Sequence, residues 1–275
     1  MANISAAEVN KLRKQTGAGM MDCKKALVES DGDFEKAIDI LRKKGQKLAT
    51  TRADRDANEG VVLAQATPDG KTAAVIMFNC ETDFVAKNQE VVDFTQQLLD
   101  LGLSNNCQSV EELANVSWDG RTVEERVTDM IGKTGEKLQL SKFSVISGEV
   151  AFAYTHPGNR VASVAVFNQS LADEQTGKDV VMQIAAMAPV ALDKESVPTE
   201  VIEKEIEIGK EVARQEGKPE EMLEKIAMGK LNKFYKESTL LNQDFYKDTK
   251  KTVQQMLSET QKGLTVTDFK RFALS

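Results

Sequence analysis

Apolar residues at helical spacing dominate the start of the chain, and short breaks interrupt them. Ser5 and Glu8 form a capping-box pattern ahead of an apolar stripe that stops at Gly17-Ala18-Gly19. Asp33 can cap a further helix, and apolar residues at helical spacing follow it. The pattern predicts three short helices, which we interpret as a separate module over residues 1–45.

Residues 46–58 are polar and charged. Such a composition is typical of a solvated tether. Because three short helices bury little apolar surface of their own, we interpret this segment as a linker between the module and a larger core.

From Gly60 onward, alternating apolar and polar positions replace the helical spacing. Thr67-Pro68-Asp69-Gly70 has Pro and Gly where a turn favours them, so the runs on either side predict a β-hairpin. With the elements that follow, this hairpin predicts an α+β subdomain over residues 59–147. Its predicted elements are strands 60–66, 73–80 and 138–146, a helix over 88–101, and a helix that Thr122 and Glu125 cap.

A second stretch repeats this order of elements. Its hairpin turns at Pro157-Gly158-Asn159, and it predicts a second α+β subdomain over residues 148–188 and 231–275. The chain is therefore predicted to be an α+β protein whose core has two related halves. The predicted elements of the second half are strands 149–156, 160–167 and 264–274 and helices 178–187 and 249–261.

The two halves differ in length, and the difference locates an insertion. Phe78-Asn79 and Phe167-Asn168 end the two hairpins and are 89 residues apart, whereas Phe143 and Phe269 in the closing strands are 126 residues apart. The second half therefore holds about 37 additional residues, which lie between its helices.

We place the insertion at about residues 189–230. Two amphipathic patterns, over residues 199–215 and 220–236, stand there on either side of Gly217-Lys218-Pro219. Two such patterns folded back on each other predict a coiled-coil hairpin that projects from the core. In one interpretation the hairpin buries its apolar stripe within itself. In the other, the stripe extends to a second copy of the chain or to another partner.

The composition is that of a globular protein. Charged residues make up 29% and hydrophobic residues 41% of the 275 residues, and no apolar run is long enough to span a membrane. The start, Met1-Ala2-Asn3-Ile4-Ser5, lacks the basic flank and apolar stretch of a targeting signal. We therefore expect a cytoplasmic protein that does not bind a membrane.

Charge is divided unevenly along the chain. Residues 1–56 hold 12 Lys and Arg against 9 Asp and Glu, although the net charge of the whole chain is −7. An acidic remainder disfavours nucleic acid as a ligand, because phosphate binding depends on clustered Lys and Arg. The basic excess at the start is either a solvated helix face or a small module that meets an acidic partner.

Motifs for nucleotide, metal and disulfide chemistry fail at the positions they require. Gly70-Lys71-Thr72 and Gly132-Lys133-Thr134 end like a P-loop, but neither has the glycine needed five residues earlier. Cys23, Cys80 and Cys107 are odd in number and far apart, which argues against a disulfide framework and a zinc site. We expect no bound nucleotide, no cofactor and no metal.

A cysteine–histidine dyad is the remaining catalytic hypothesis. The chain has one histidine, His156, which would have to pair with Cys80 or Cys107. Nothing in the spacing recommends either pair, so we expect no enzymatic activity.

One segment departs from local rules at a junction between a strand and a helix. Asn79-Cys80-Glu81-Thr82-Asp83-Phe84-Val85 follows a buried run and places a large aromatic residue where polar caps are expected. In one interpretation Thr82 or Asp83 caps the next helix and Phe84 folds back as a hydrophobic staple. In the other, Phe84 projects as a hot-spot aromatic with Asp83 beside it. Composition does not choose between the two.

Two long motifs closely resemble the hallmarks of the bacterial elongation factor Ts family. They are Thr16-Gly17-Ala18-Gly19-Met20-Met21-Asp22-Cys23-Lys24-Lys25-Ala26-Leu27 and Asn79-Cys80-Glu81-Thr82-Asp83-Phe84-Val85-Ala86-Lys87. The module, the doubled core and the inserted hairpin match as well, so the resemblance covers essentially the whole chain. It implies a guanine-nucleotide exchange factor for elongation factor Tu, and an N-terminal module that is similar to ubiquitin-associated domains and contacts the GTPase domain.

The resemblance also implies roles for individual residues. The Thr-Asp-Phe segment of the family wedges between helices of the GTPase and disturbs its magnesium site. The residues implied here are Thr82, Asp83, Phe84 and Val85 for the wedge, Met20, Met21, Asp22 and Lys24 for the contact surface of the module, and His156 for a weaker contact.

Two details depart from the family pattern, and one further match to its motif is a decoy. Pro157 follows His156, which weakens that assignment. The sequence stops at Ser275, so we expect the additional C-terminal helical module of some members to be missing, together with its contacts. A second Thr-Asp-Phe, residues 267–269, falls inside the closing strand by the repeat argument and is a decoy.

Two other classes of function stay open as hypotheses. An enzyme would use Cys80 and His156, and an adaptor would bind through the N-terminal module without needing Asp83 or Phe84. An exchange factor needs no catalytic residues, because tighter binding to the nucleotide-free GTPase weakens nucleotide binding by the same factor.

Overall fold

A computed structural model describes residues 4–275, which form a mixture of α-helices and small β-sheets, as the predicted class requires. The chain divides into two compact units. The first consists of the residues up to Leu63, Ile76–Ser144 and Ala273–Ser275, and the second consists of Ala64–Val75 and Val145–Phe272. Within residues 4–275, no helix combines the length and apolar character needed to cross a bilayer.

Three helices open the first unit, as the sequence predicts. Ser5 and Glu8 form the predicted capping box, and Gly17 ends the first helix in the left-handed conformation, with a φ of 70°. Their shared core includes Leu12, Cys23 and Leu27, all fully buried. The helices are α1 (Ala6–Thr16), α2 (Met20–Glu29) and α3 (Phe34–Thr51).

Helix α3 is longer than the sequence pattern indicated. It continues to Thr51, so the first residues of the predicted linker 46–58 are helical. The cause is tertiary packing, since α3 lies against the helix Val123–Thr134 and buries Gly45 there. Packing of this kind stabilises a polar helical segment without leaving a period in the sequence. The domain boundaries proposed from the sequence stay predictions.

The elements after α3 agree in order with the first predicted α+β subdomain, and several short ones are additional. A one-turn helix, a five-residue helix and a two-stranded ladder were not predicted, because elements this short carry no period. In chain order the elements are β1 (Glu59–Ala66), β2 (Thr72–Cys80), α4 (Asp83–Ala86), α5 (Gln89–Ser104), α6 (Val110–Ala114), β3 (Ser117–Trp118), β4 (Arg121–Thr122), α7 (Val123–Thr134) and β5 (Leu138–Ser147).

The following stretch contains the second set of predicted elements, with one further ladder. Strands β6 and β7 form the predicted hairpin, antiparallel, with Val150 opposite Phe167. The elements are β6 (Val150–Thr155), β7 (Val161–Phe167), α8 (Glu174–Met187), α9 (Thr199–Gln215), α10 (Glu220–Ser238), β8 (Asp244–Phe245), β9 (Asp248–Thr252), α11 (Val253–Thr260) and β10 (Val266–Ala273).

The two three-stranded sheets have matching strand orders. One is β1-β2-β5 and the other is β6-β7-β10, so the second hairpin strand lies in the middle of each. The helix before each closing strand begins at a capping box, Thr122 with Glu125 in α7 and Thr252 with Gln255 in α11. A two-stranded ladder precedes both boxes. This correspondence supports the internal repeat inferred from the sequence.

Two helix boundaries in the second set differ from the prediction. The helix expected over residues 249–261 begins at Val253, because Asp248–Thr252 pairs as a strand with Asp244–Phe245. Helix α8 begins at Glu174, earlier than expected, because the Asp173 side chain caps it.

Helices α9 and α10 pack along each other, and together they are called the helical arm below. They lie close at Gly209, where a Cβ atom would be 3.2 Å from Cβ of Ala227. Helix α10 ends at Ser238, close to the end of the amphipathic pattern over residues 220–236. The chain leaves and re-enters the core at adjacent positions, since the Leu240 amide donates to the Ala191 carbonyl at 2.9 Å.

Candidate partner-binding surface

Two helices, α4 and α5, begin within a short stretch of chain after β2. Thr82 is the N-cap of α4, and its hydroxyl accepts a hydrogen bond from the Val85 amide at 3.4 Å. Asn88 caps α5 in the same way, through the Glu90 amide at 3.1 Å. Each cap fixes the backbone where the chain changes direction, so the single turn of α4 has a defined orientation.

Phe84 projects from α4 into solvent. Its exposed fraction is 82%, the largest among the exposed large hydrophobic residues that the structure describes. A hydrophobic staple would bury this ring, so the structure agrees with the capping part of that interpretation and disagrees with the staple. An exposed aromatic ring on a short, capped helix has the geometry of a side chain that can enter a pocket on another protein.

Asp83 lies beside Phe84 and forms an ion pair with Lys87, with 2.6 Å between Oδ2 and Nζ. The hydrogen bond from Lys87 lowers the pKa of Asp83 below its ordinary value. The carboxylate is therefore charged at neutral pH, and its side chain is 45% exposed. Val85, the remaining wedge residue predicted from the resemblance, is half-buried.

Glu81 precedes the cap and accepts hydrogen bonds from three directions. Its Oε1 lies 2.8 Å from the Arg52 guanidinium and 2.6 Å from the Lys137 amide, and its Oε2 lies 2.9 Å from the Arg55 guanidinium. Burial alone would raise the pKa of Glu81, but these three donors outweigh it and lower the pKa to about 2. Glu81 is therefore ionised throughout the physiological pH range.

Thr82 is held by Glu136. The Thr82 amide and hydroxyl donate to the two oxygens of the Glu136 carboxylate, at 3.1 Å and 2.6 Å. The Lys137 ammonium in turn donates to the carbonyls of Ala53 and Arg55, at 2.7 Å and 2.9 Å. Three distant segments thus meet behind α4: the residues after α3, the end of β2 and the turn before β5.

We call this cluster the wedge brace, and it consists of Arg52, Arg55, Glu81, Glu136 and Lys137. No pattern in the sequence predicted this cluster. Arg52 and Arg55 stand in the predicted linker, where a basic pair could have signalled a contact. Their acidic partner comes 29 and 26 residues later, a separation that no local pattern reveals.

Cys80 ends β2 beside the wedge brace and is a poor nucleophile. Its thiol donates to the Thr82 carbonyl, with 3.1 Å between Sγ and the oxygen. Burial, assisted by the negative charge of Glu136, raises the pKa of the thiol to about 12. The thiol therefore stays protonated at neutral pH, which argues against the cysteine–histidine hypothesis.

The predicted contact residues of the N-terminal module divide into two groups on α2. Met20 and Met21 are 51% and 62% exposed, and Lys24 is exposed beside them. Asp22 instead faces α3, where its carboxylate lies 2.5 Å from Nζ of Lys44. Two methionines and a lysine therefore form an accessible apolar and basic surface, while Asp22 is engaged within the module.

His156 is exposed at the turn between β6 and β7, in the second unit. Its Nδ1 lies 2.9 Å from the Tyr154 hydroxyl, so the ring is oriented by its neighbour two residues earlier. The second Thr-Asp-Phe lies in β10, as predicted, and Phe269 is half-buried against the core of the second unit.

Both fragments that end like a P-loop occupy other structures. Gly70 belongs to the turn of the β1–β2 hairpin, and Gly132-Lys133-Thr134 forms the last turn of α7. A P-loop instead connects a strand to the start of a helix. Over residues 4–275, no three His, Cys, Asp or Glu side chains are grouped so as to hold a metal ion.

Comparison with protein families gives one match. The family model described as "Elongation factor TS" matches residues 81–275, which begin directly after β2 and include Thr82–Val85, the closing strand β5 and the whole sheet of β6, β7 and β10.

Similar proteins align over almost the entire chain. Elongation factor Ts of Amoebophilus asiaticus is 50% identical over 270 residues, which cover 98% of each protein. Elongation factor Ts of Cytophaga hutchinsonii is 50% identical over 278 residues, which cover both proteins completely. Elongation factor Ts of Porphyromonas gingivalis is 49% identical over 273 residues, 99% of this chain and 98% of that protein.

Proposed function

Because the chain belongs to the elongation factor Ts family of translation elongation factors, we propose that it is the guanine-nucleotide exchange factor for elongation factor Tu. The observation that carries this proposal is the exposed ring of Phe84 on the capped helix α4. In the complex, Asp83 and Phe84 enter the GTPase near its magnesium site, with Thr82 and Val85 completing the wedge.

Exchange follows from differential binding. A protein that binds the nucleotide-free GTPase more tightly than the GDP-bound form must weaken GDP binding by the same factor. Removing about 4 kcal/mol of nucleotide and magnesium binding lowers affinity about 10³-fold. Insertion of an aromatic ring at the centre of an interface contributes energy of this order together with the contacts around it.

The N-terminal helices supply the second contact of the proposal. They act as a ubiquitin-associated-like module whose exposed Met20, Met21 and Lys24 meet the GTPase domain. Two methionines adapt their shape to a partner surface, and the lysine suits an acidic rim. His156 provides a weaker contact from the second unit.

The helical arm is a coiled coil in this proposal. Close packing of Gly209 against Ala227 supports that description. Alternatively, the apolar residues that the arm leaves exposed contact a second copy of the chain. Sedimentation analysis of the purified protein decides between monomer and dimer.

The proposed activity involves no covalent chemistry. The protonated, hydrogen-bonded thiol of Cys80 supports this view. We propose that the protein acts in the cytoplasm, where translation takes place, with elongation factor Tu as its partner, without binding nucleotide, nucleic acid or membrane itself.

Release of fluorescent GDP from the cognate elongation factor Tu tests the proposal. Micromolar protein should accelerate release by orders of magnitude without hydrolysing GTP. Val190→Ala is the control variant, because it shortens another exposed apolar side chain outside the proposed contacts and should preserve the acceleration. An unchanged rate of GDP release with the wild-type protein would contradict the proposal.

A further inference from the structure

The direction in which Phe84 projects is not set by packing of its own ring. With most of its surface exposed, the ring gains little from neighbouring side chains. Its position therefore depends on the backbone of α4, and hence on whatever holds that backbone. The wedge brace holds it, because Glu81 and Thr82 are the two residues directly before α4.

We infer that Glu81 is a positioning residue for exchange, which fixes the direction in which α4 presents Phe84. This inference rests on the proposed function. Glu81 is suited to the role because its side chain is only 15% exposed and it accepts charge-assisted bonds from Arg52 and Arg55. Rotation of α4 about the end of β2 would break these bonds and the two between Thr82 and Glu136.

The same contacts link the wedge to the N-terminal module. Arg52 is the C-cap residue of α3, and its guanidinium ends on Glu81. The module and α4 also belong to one compact unit. When α2 docks on the GTPase, the wedge brace therefore keeps Phe84 at a fixed position relative to that contact.

Preorganisation of this kind affects rate more than affinity. A displacement of about 1 Å at a reacting group can reduce a rate up to about 100-fold. A loosened α4 still reaches the GTPase, but it must be ordered on binding, which reduces the fraction of complexes with the ring inserted.

The test measures GDP release from elongation factor Tu over a range of protein concentrations, with wild type, Glu81→Gln and Arg52→Gln. We expect the maximal rate to fall about tenfold in each variant, while the half-saturating concentration changes about threefold or less. Glu195→Gln is the matched control, since Glu195 pairs on the surface with its neighbour Lys194. Its rate should equal that of wild type.

A second measurement repeats the Glu81→Gln substitution in a Phe84→Ala background. If Glu81 acts through the aromatic ring, the tenfold effect should shrink to less than about twofold there. Equal effects in both backgrounds would overturn the inference, as would a lowered melting temperature with an unchanged rate per folded molecule.

These outcomes separate the inference from the proposed function. If the wild-type protein does not accelerate GDP release from elongation factor Tu, both the proposed function and the inference are wrong. If wild type accelerates release, Phe84→Ala does not and Glu81→Gln still does, the inference alone is wrong. Should Glu81→Gln fail to fold, Arg55→Gln removes one half-exposed donor and leaves the other two. An unchanged maximal rate for that variant would then count against the inference.

Discussion

Gly45 of α3 and Gly132 of α7 meet so closely that a Cβ atom on Gly132 would lie 3.2 Å from Cα of Gly45. A Cβ on Gly45 would in turn lie 3.1 Å from the Thr128 carbonyl oxygen. The two helices therefore pack backbone against backbone at this point. Side-chain volume added here must push the helices apart.

Gly45→Val should destabilise the protein by about 1–3 kcal/mol, because the branched side chain overpacks this contact. Urea unfolding followed by circular dichroism measures the change. Gly229→Ala is the control of opposite sign, since Gly229 lies inside α10 with open space around it. It should stabilise α10 by up to about 1 kcal/mol. Unaltered stability of Gly45→Val would show that α3 and α7 separate freely.

Phe84→Ala should reduce the maximal rate of GDP release about 30-fold or more. The reason is that a central aromatic contributes about 2 kcal/mol or more at an interface. Its melting temperature should match wild type, because the ring is exposed in the free protein. A variant that melts early and exchanges normally would restore the staple interpretation.

Phe269→Ala should show the reverse pattern. The ring is half-buried against the core of the second unit, so truncation should cost about 1–3 kcal/mol, less than the 3–5 kcal/mol of a fully buried phenylalanine. Exchange per folded molecule should persist. Thermal melting and GDP release on the same samples provide both readings, and a folded Phe269→Ala variant without exchange would contradict the assignment of this motif as a decoy.

The low pKa of Glu81 predicts how stability depends on acidity. Its folded-state pKa of about 2 lies below the value of about 4.3 expected for an unfolded chain. The carboxylate therefore contributes stability above pH 4.3, and this contribution is lost as pH falls toward 2.

Urea unfolding of wild type and Glu81→Gln between pH 6 and pH 2 checks this dependence. The stability difference between the two proteins should be largest near pH 6 and shrink toward zero at the acidic end. Glu195→Gln should differ little from wild type at every pH. If the stability difference between wild type and Glu81→Gln stayed constant with pH, the pKa of Glu81 would not be lowered in the folded state.

The ends of the helical arm define a deletion that the core should tolerate. The Val190 amide donates to the Ser238 carbonyl at 2.8 Å, so a short glycine-rich turn can replace residues 195–237. Circular dichroism should show a loss of helix with a cooperative melt retained. Removal of 189–230 instead cuts α10 and leaves the buried Leu231 without its surroundings, so that variant should melt earlier. Equal melting of both deletions would contradict the structural boundary.

Elements with a cap and a full period were predictable from the sequence. The capping box of Thr122 and Glu125 marked the start of α7, and the unbroken apolar run marked β2. The ladders at β3–β4 and β8–β9 were not predictable, because strands this short have no period to detect. The extension of α3 depended on Gly45 and Gly132, whose closeness is a tertiary property.

The candidate site was predictable in identity but not in geometry. The residues around Phe84 allowed both a buried and a projecting ring, since the Thr82 cap is compatible with either. The wedge brace joins positions such as Thr82 and Glu136, 54 residues apart. Sequence patterns within a single helix or strand contain no information about such a pair.

The matching strand orders of the two sheets have a consequence for synthesis of the chain. In the first sheet, β2 can pair with β5, its second neighbouring strand, before any residue of the helical arm has been translated. In the second, β7 waits for β10, which is translated only after α8, the entire arm and α11. The edge of β7 is therefore open for longer in the nascent polypeptide, and unpaired strand edges of this kind are what chaperones recognise and what aggregation exploits.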